Sequence, residues 1–174
     1  MVNHFIACCL CLVLINCFAC QHNPYPTKCL SLNMHVVYQS AVCGKINDLS
    51  SQVWISDKRG LESVFTKILS NRIDNQLPEF AEHFDFDRFG LLFLHMDEKP
   101  TGGFSLELIP DHSCLSGNTA AIRIDYLKPD PDAAVSQMIT HPCIMIKLEK
   151  TGFNRIVILD QNNMPRGTIE LNGP

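Results

Sequence analysis

Two adjacent glycines, Gly102 and Gly103, separate two apolar segments that have the residue composition of β-strands. The first segment covers residues 89–96, and the second covers residues 104–109. Paired glycines let the backbone adopt positive φ angles or lie very close to a neighbouring surface, because neither residue carries a side chain. The sequence therefore predicts two strands joined by a glycine turn at residues 101–104.

Several other short segments are rich in β-branched and aromatic residues, or alternate between apolar and polar side chains, as strands do. They lie at residues 34–38, 52–55, 122–126 and 144–148, with a terminal hairpin formed by residues 155–159 and 168–171. In the 144–148 segment, Ile144 and Ile146 alternate with Met145 and Lys147. This alternation predicts an antiparallel strand with one buried face and one exposed face.

One segment, near residues 59–70, has the periodicity of a helix. Its apolar residues recur at the spacing that places them on one helix face: Leu61, Val64, Phe65, Ile68 and Leu69. Ser56 or Asp57 is placed to cap the first turn. With strands elsewhere, the sequence predicts a mainly β (α+β) domain, an antiparallel β-sandwich or curled sheet with this one helix packed against it.

The charge of the chain argues against a nucleic-acid partner. The 174 residues carry a formal net charge of −4 and contain no cluster of Lys and Arg that would neutralise phosphates. The adjacent Lys58 and Arg59 are explained by the solvated start of the predicted helix. A hydrophobic content of 46% is sufficient for the core of one globular domain of this length.

Residues 5–19 form an uncharged apolar segment of 15 residues. A membrane-spanning helix needs about 20 residues, so the segment is better explained as the hydrophobic region of a secretory signal peptide. The sequence Cys17-Phe-Ala-Cys20 resembles a bacterial lipobox, in which a small residue precedes the cysteine that receives a lipid. We therefore expect acylation of Cys20. An ordinary signal peptide and an uncleaved N-terminal anchor are the alternatives.

This interpretation divides the chain into three parts. Residues 1–19 are the signal peptide, residues 20–32 are a lipid-anchored tether, and residues 33–174 are the folded domain. Gln21 follows the lipidated cysteine, and glutamine in place of aspartate there suggests sorting to the outer membrane. We expect a protein of the cell envelope, held at the periplasmic face of a membrane by its lipid anchor.

Cleavage would leave four cysteines beyond the anchor, at positions 29, 43, 114 and 143, in a compartment where disulfides persist. Four cysteines allow three pairings. Cys29 and Cys43 flank the predicted 34–38 strand, and this position favours a bridge between them. Cys143 is either bridged or a buried thiol, because free cysteine packs like a small hydrophobic residue.

His83, Asp85 and Asp87 stand at alternate positions, a spacing that a metal site could use. On an extended strand the three side chains would share one face and could act as ligands. The alternating Phe84 and Phe86 explain the same pattern as a strand that buries its phenylalanines and exposes its polar residues. The local sequence also lacks a fourth ligand. We therefore expect no metal in this segment.

The sequence contains no local motif for nucleophilic catalysis, such as Gly-x-Ser-x-Gly, Ser-x-x-Lys or His-Glu-x-x-His. His141 and Cys143 are two residues apart, but a structural cysteine explains the pair better than a catalytic dyad. Ser105 directly follows the glycine turn and is explained by hydrogen bonding to nearby backbone. We expect a chain with neither catalytic residues nor a cofactor.

Three loop sequences occur in a recognisable order: Thr101-Gly-Gly-Phe104, Pro129-Asp-Pro131 and Thr140-His-Pro142. This order resembles the C-terminal domain of the PrcB family, accessory subunits of bacterial cell-surface protease complexes, over about residues 33–160. The resemblance implies a glycine hairpin, three loops gathered at one end of the domain, and a non-catalytic protein that binds or stabilises a protease. It implies a partner-binding surface at Thr101, Gly102, Gly103, Phe104, Pro129 and Pro131.

Phe104 stands where the family usually has tyrosine, so it lacks the phenolic hydroxyl group. Its ring is either a contact for a partner or part of the core at the start of the following strand. A second function remains open for the same loops, because rigid loops at one end of a β-sandwich can also plug a protease cleft as an inhibitor. A small hydrolase is a third alternative.

Overall fold

The computed structural model describes residues 29–44, 46, 48–70 and 76–171. The predicted signal peptide and Cys20 lie outside these residues. The strands are β1 (Leu30–Ser31), β2 (Met34–Ser40), β3 (Gln52–Ile55), β4 (Phe89–His95), β5 (Ser105–Leu108), β6 (Cys114–Ser116), β7 (Thr119–Leu127), β8 (Cys143–Glu149), β9 (Arg155–Leu159) and β10 (Pro165–Glu170). The helices are α1 (Lys58–Ile68) and α2 (Glu79–Glu82), with a 3-10 turn at Pro110–His112.

The strands form two sheets, which confirms the predicted mainly β fold. The first sheet has the order β2-β8-β4-β3, and all its neighbours are antiparallel. The second has the order β1-β6-β7-β9-β10, with β5 paired to the C-terminal half of β7. The predicted terminal hairpin is confirmed as β9 and β10. β7 and β9 run parallel, which differs from the predicted antiparallel arrangement.

A core of aliphatic side chains fills the space between the two sheets. Leu92 and Ile146 of the first sheet and Ile122 and Ile158 of the second are each fully buried in it. A second core lies on the other face of the first sheet, where α1, α2 and several phenylalanines pack. The first sheet is therefore the middle layer of three, and its central strands β4 and β8 are covered on both faces.

This second core overturns the predicted exposed face of the 144–148 strand. Met145 is fully buried beneath the helix layer, and Lys147 is half-buried with its ammonium group 3.8 Å from the centre of the Phe89 ring. Alternation in sequence cannot show whether the second face of a strand meets water or another layer. Among residues 143–149, five are buried and two are half-buried.

The predicted helix is confirmed. Asp57 caps it by accepting a 2.8 Å hydrogen bond from the N–H of Gly60, and all five apolar residues of the predicted stripe are buried. The short helix α2 was not predicted. The segment after it is not a strand, because the Asp85 carboxylate accepts the N–H groups of Asp87 and Arg88 in a turn. His83, Asp85 and Asp87 therefore do not share the face of a strand.

The predicted Cys29–Cys43 bridge is wrong. Cys29 is bonded to Cys114 and Cys43 to Cys143, with Cα–Cα separations of 5.3 and 6.1 Å. The seven residues of β2 extend for about 23 Å, so the cysteines that flank this strand lie near opposite ends of the sheet, too far apart for a bridge. Bridges instead join neighbouring strands: Ser31 pairs with Cys114, and Ser40 pairs with Cys143.

The folded body also begins earlier than the predicted boundary at residue 33. Leu30 and Ser31 pair with Leu115 and Cys114 of β6, and Cys29 is held by its disulfide. Two short strands, β1 and β6, carry this attachment, and neither was long enough to show strand periodicity in the sequence. Residues 29–31 are thus attached to the second sheet by strand pairing and a disulfide.

We expect disulfide mapping of the purified, unreduced chain to recover peptides that link Cys29 to Cys114 and Cys43 to Cys143. The Cys43–Cys143 bridge closes a loop with a sequence separation of 100 residues. Replacing both of these cysteines by alanine should lower the free energy of unfolding by about 2–5 kcal/mol, because the unfolded chain gains conformational freedom. A peptide linking Cys29 to Cys43 would contradict the fold at its N-terminal end.

Candidate functional site

Two segments at one end of the sandwich pack against each other, and we call them together the loop cluster. The first comprises residues 97–104, between β4 and β5, and the second comprises residues 128–142, between β7 and β8. β4 and β5 belong to different sheets, so the glycine turn is a crossing between sheets and not the expected hairpin. The loop cluster is therefore anchored to both layers of the sandwich.

Hydrogen bonds tie the two segments of the loop cluster together. Lys99 and Thr140 exchange N–H···O bonds of 2.8 and 2.9 Å, and the Thr140 hydroxyl donates to the carbonyl oxygen of Thr101 at 2.8 Å. The N–H of Gly102 donates to the carbonyl oxygen of Ser136 at 2.9 Å. Thr140 is buried, so its own hydrogen bonds are shielded from bulk water. The expected gathering of three loops on one surface is confirmed.

This packing requires glycine at position 103 and brings the Ser136 side chain close to Gly102. Gly103 has φ of +85°, and a Cβ atom on it would lie 2.8 Å from Cβ of Pro129 and 3.1 Å from Cγ1 of Val135. A Cβ atom on Gly102 would lie 2.4 Å from Oγ of Ser136. The second segment of the loop cluster therefore rests directly on the backbone of the first at Gly103, where the positive φ and the contact with Pro129 require glycine.

The six residues expected to bind a partner all lie in the loop cluster, but they differ in exposure. Gly103 and Pro131 are exposed, whereas Thr101, Phe104 and Pro129 are half-buried. Gly102 is buried, so it supports the surface without forming it. The Phe104 ring packs against the core between the sheets and also reaches the surface at a groove. The core interpretation of Phe104 is thus supported by its packing, and contact of the ring with a partner stays a prediction.

This groove has a volume of about 410 Å³ and lies beside the loop cluster. The starts of β3 and β10 and the ends of β4 and β7 surround it, so residues far apart in sequence meet there. Its lining includes three cationic side chains, Lys99, Lys128 and Arg166. Sequence reasoning missed the groove, because these cations are scattered along the chain and show no local cluster.

A buried carboxylate positions Arg166. The side chain of Asp160 is 2% exposed and lies 2.7 Å from an Nη atom of Arg166. Burial alone would raise the pKa of Asp160, but the N–H groups of Met164 and Asn162 and the guanidinium of Arg166 together lower it. The ionised Asp160 therefore orders the turn between β9 and β10 and holds Arg166 at the groove.

Aromatic rings accompany the cations in the groove. The Arg166 guanidinium lies 5.3 Å from the centre of the Tyr126 ring, and the Lys99 ammonium lies 5.8 Å from the centre of the Phe104 ring. Burial raises the pKa of Tyr126, an effect that Arg166 opposes and Asp160 reinforces. The Tyr126 hydroxyl is therefore protonated at neutral pH and available as a hydrogen-bond donor.

His141 and Cys143, the pair that could form a catalytic dyad, have other partners. The sulfur atom of Cys143 is in a disulfide, so it forms no dyad with His141. His141 instead faces Glu98 at 3.8 Å. His95, at the groove, has both ring nitrogens 3.2 Å from backbone carbonyl oxygens, those of Met96 and Ser50. Within the described ranges, His, Cys, Asp and Glu residues form no group of three that could hold a metal ion.

Comparison with protein-family models finds a match within the chain. The family model described as PrcB C-terminal matches residues 91–149, a span that contains both segments of the loop cluster and ends with β8. Neither the curated proteins nor the solved structures yield a match to this chain. The resemblance inferred from the three loop sequences is confirmed over the matched residues.

We expect Gly103→Ala to destabilise the protein by about 1–3 kcal/mol, because alanine is strained at positive φ and its Cβ would meet Pro129. Gly117→Ala is the matched control, since Gly117 also has positive φ but has open space around its Cα. Chemical denaturation of both variants measures the difference. Equal losses of stability would contradict the close packing of the loop cluster on Gly103.

Proposed function

We propose a function from the family whose model, PrcB C-terminal, matches residues 91–149 of the chain. The chain is a non-catalytic, protein-binding subunit of a bacterial protease complex at the cell surface or in the periplasm. It binds and stabilises the protease through the loop cluster. The single observation that carries this proposal is that the matched family region builds a rigid, partly apolar surface at one end of the sandwich.

Rigidity is the first property that suits the loop cluster to binding a protein. Its two segments are joined by the backbone pairing of Lys99 with Thr140 and by the buried Thr140 hydroxyl. Loops held in this way lose little conformational entropy when a partner binds. Binding residues are commonly found on loops that a rigid scaffold positions.

Exposed apolar side chains are the second property. Met138 and Ile139 in the loop cluster are 51% and 56% exposed, and Val42 is 44% exposed. Val42 forms a β-bridge with His141, which lies two residues after Ile139, so all three belong to the same end of the molecule. Methionine and other apolar residues are enriched at the centre of protein interfaces. A protein partner would remove these side chains from water.

A non-catalytic role is supported by the interactions of the candidate reactive groups. Cys143 is oxidised in a disulfide, and the nitrogen atoms of His95 face backbone carbonyl oxygens. These groups stabilise the fold and are not poised beside a nucleophile. A subunit of this kind contributes binding energy and leaves peptide hydrolysis to its partner.

We also propose that the chain is exported and anchored by a lipid on Cys20 at the periplasmic face of the outer membrane. The two disulfides support export, because such bonds persist in oxidising compartments. The described helices include none that is long and apolar enough to cross a membrane. An acyl chain on Cys20 would supply the attachment, since each buried methylene contributes about 0.8 kcal/mol.

Cys20→Ser should abolish incorporation of a fatty-acid analogue and release the folded chain from the membrane fraction. Metabolic labelling in the native bacterium, followed by detergent partitioning, measures both effects. Cys11→Ser is the matched control, because it removes a thiol from the same apolar segment but lies outside the lipobox-like sequence, so it should leave labelling intact. Full labelling of the Cys20→Ser variant would contradict the anchor.

The partner can be identified by isolating the tagged full-length chain from detergent-solubilised envelopes of the native bacterium. We expect a protease to be co-isolated, casein to be hydrolysed by the complex, and the chain purified alone to be inactive. Deleting the gene that encodes the chain should lower the amount or the activity of the protease. Casein hydrolysis by the chain alone would contradict the non-catalytic role, and higher protease activity after deletion would indicate an inhibitor instead.

A further inference from the structure

The groove beside the loop cluster contains two cations whose charge the described part of the protein does not neutralise. Lys99 and Lys128 line it, and neither ammonium group forms an ion pair with a described carboxylate. The lining contains three cationic side chains and one carboxylate, that of Asp97. Arg166 differs from the lysines, because Asp160 already compensates its charge. On a chain of net charge −4, this local excess of positive charge is unexpected.

The same groove offers an apolar floor and neutral hydrogen-bonding groups. Met96 is buried and Phe104 is half-buried, and both contribute to the lining. The Tyr126 hydroxyl is a donor at neutral pH. Gln52 donates one N–H to the carbonyl oxygen of Arg166 at 2.7 Å, which fixes its side chain across the gap between β3 and β10. A ligand suited to this lining combines negative charge with an apolar side chain.

We propose that the groove binds a short acidic segment of the protein partner, with a carboxylate between Lys99 and Lys128 and an apolar side chain on Phe104. This inference rests on the proposed function and specifies how the partner is recognised. The groove volume is at the small end of ligand pockets, which suits a few residues of a peptide. Two uncompensated cations are too few for the phosphate contacts that a nucleic acid makes.

Continuity with the loop cluster favours a protein partner. Lys99 and Phe104 belong to its first segment, and Lys128 belongs to its second, so the groove and the proposed binding surface share residues. Charged residues at the edge of an interface accelerate association and select among partners. The exposed Met138 and Ile139 would then supply apolar contacts, and the lysines of the groove would bind a carboxylate of the partner.

The test uses a fluorescein-labelled peptide of sequence Gly-Ser-Glu-Phe-Asp-Leu-Glu-Ser-Gly and fluorescence anisotropy with the full-length chain in detergent. Two further peptides separate the contributions. One replaces Glu and Asp by Gln and Asn, and the other replaces Phe and Leu by Ser. We expect saturable binding of the acidic apolar peptide, weakened by added NaCl, and weaker binding of each altered peptide.

The double variant Lys99→Glu/Lys128→Glu should weaken binding of the acidic apolar peptide by about tenfold or more. Lys58→Glu/Arg59→Glu is the matched control, because it changes the net charge equally on exposed residues of α1, away from the groove lining. Arg166 is left unchanged, since replacing it would leave the buried Asp160 carboxylate without its ion-pair partner and would destabilise the fold. Thermal melting verifies that both double variants are folded.

Equal binding of the neutral peptide, unchanged binding by the Lys99→Glu/Lys128→Glu variant, or no saturable binding of the acidic peptide would overturn this inference. Co-isolation of the protease distinguishes failure of the groove assignment from failure of the proposed function. If the Lys99→Glu/Lys128→Glu chain still co-isolates the protease as well as the unaltered chain does, the groove assignment is wrong and the proposed function stands. If the unaltered chain co-isolates no protease, the proposed function itself fails.

Discussion

The antiparallel pairing of β4 with β8, buried on both faces, is the constraint on which the rest of the structure depends. Leu92 pairs with Ile146 and Phe93 pairs with Met145, and all four residues are fully buried. The first pair belongs to the core between the sheets, and the second belongs to the core beneath the helices. Loss of this pairing would expose both cores at once, so the three layers depend on it jointly.

The loop cluster continues the same pairing beyond the strands. The N–H of Met96 donates to the carbonyl oxygen of Pro142 at 2.8 Å, and the exchange of bonds between Lys99 and Thr140 follows. The hydrogen-bonded pairing of β4 with β8 thus continues into the loop cluster. In the turn that follows, Gly103 lets the second segment of the loop cluster lie directly on the first. Lys99, Phe104 and Lys128 of these two segments line the same groove.

Local features of the structure could be predicted from the sequence, and non-local ones could not. The buried stripe of α1 and the alternation of Ile122 and Ile124 depend on neighbours within a few residues, so periodicity identified them. Disulfide partners, the sheet to which β5 belongs and the burial of Met145 depend on segments that meet only in the folded chain. The groove was missed for the same reason, since Lys99 and Arg166 meet only after both sheets form.

The central claim is that the partner binds at the end of the molecule that carries the loop cluster. The most direct test compares amide hydrogen exchange in the isolated complex with exchange in the chain alone. Bound partner should slow exchange in residues 97–104 and 128–140, which carry the groove cations Lys99 and Lys128, and should leave the exposed face of α1 unchanged. Protection confined to α1 and α2, with none in the loop cluster, would contradict it.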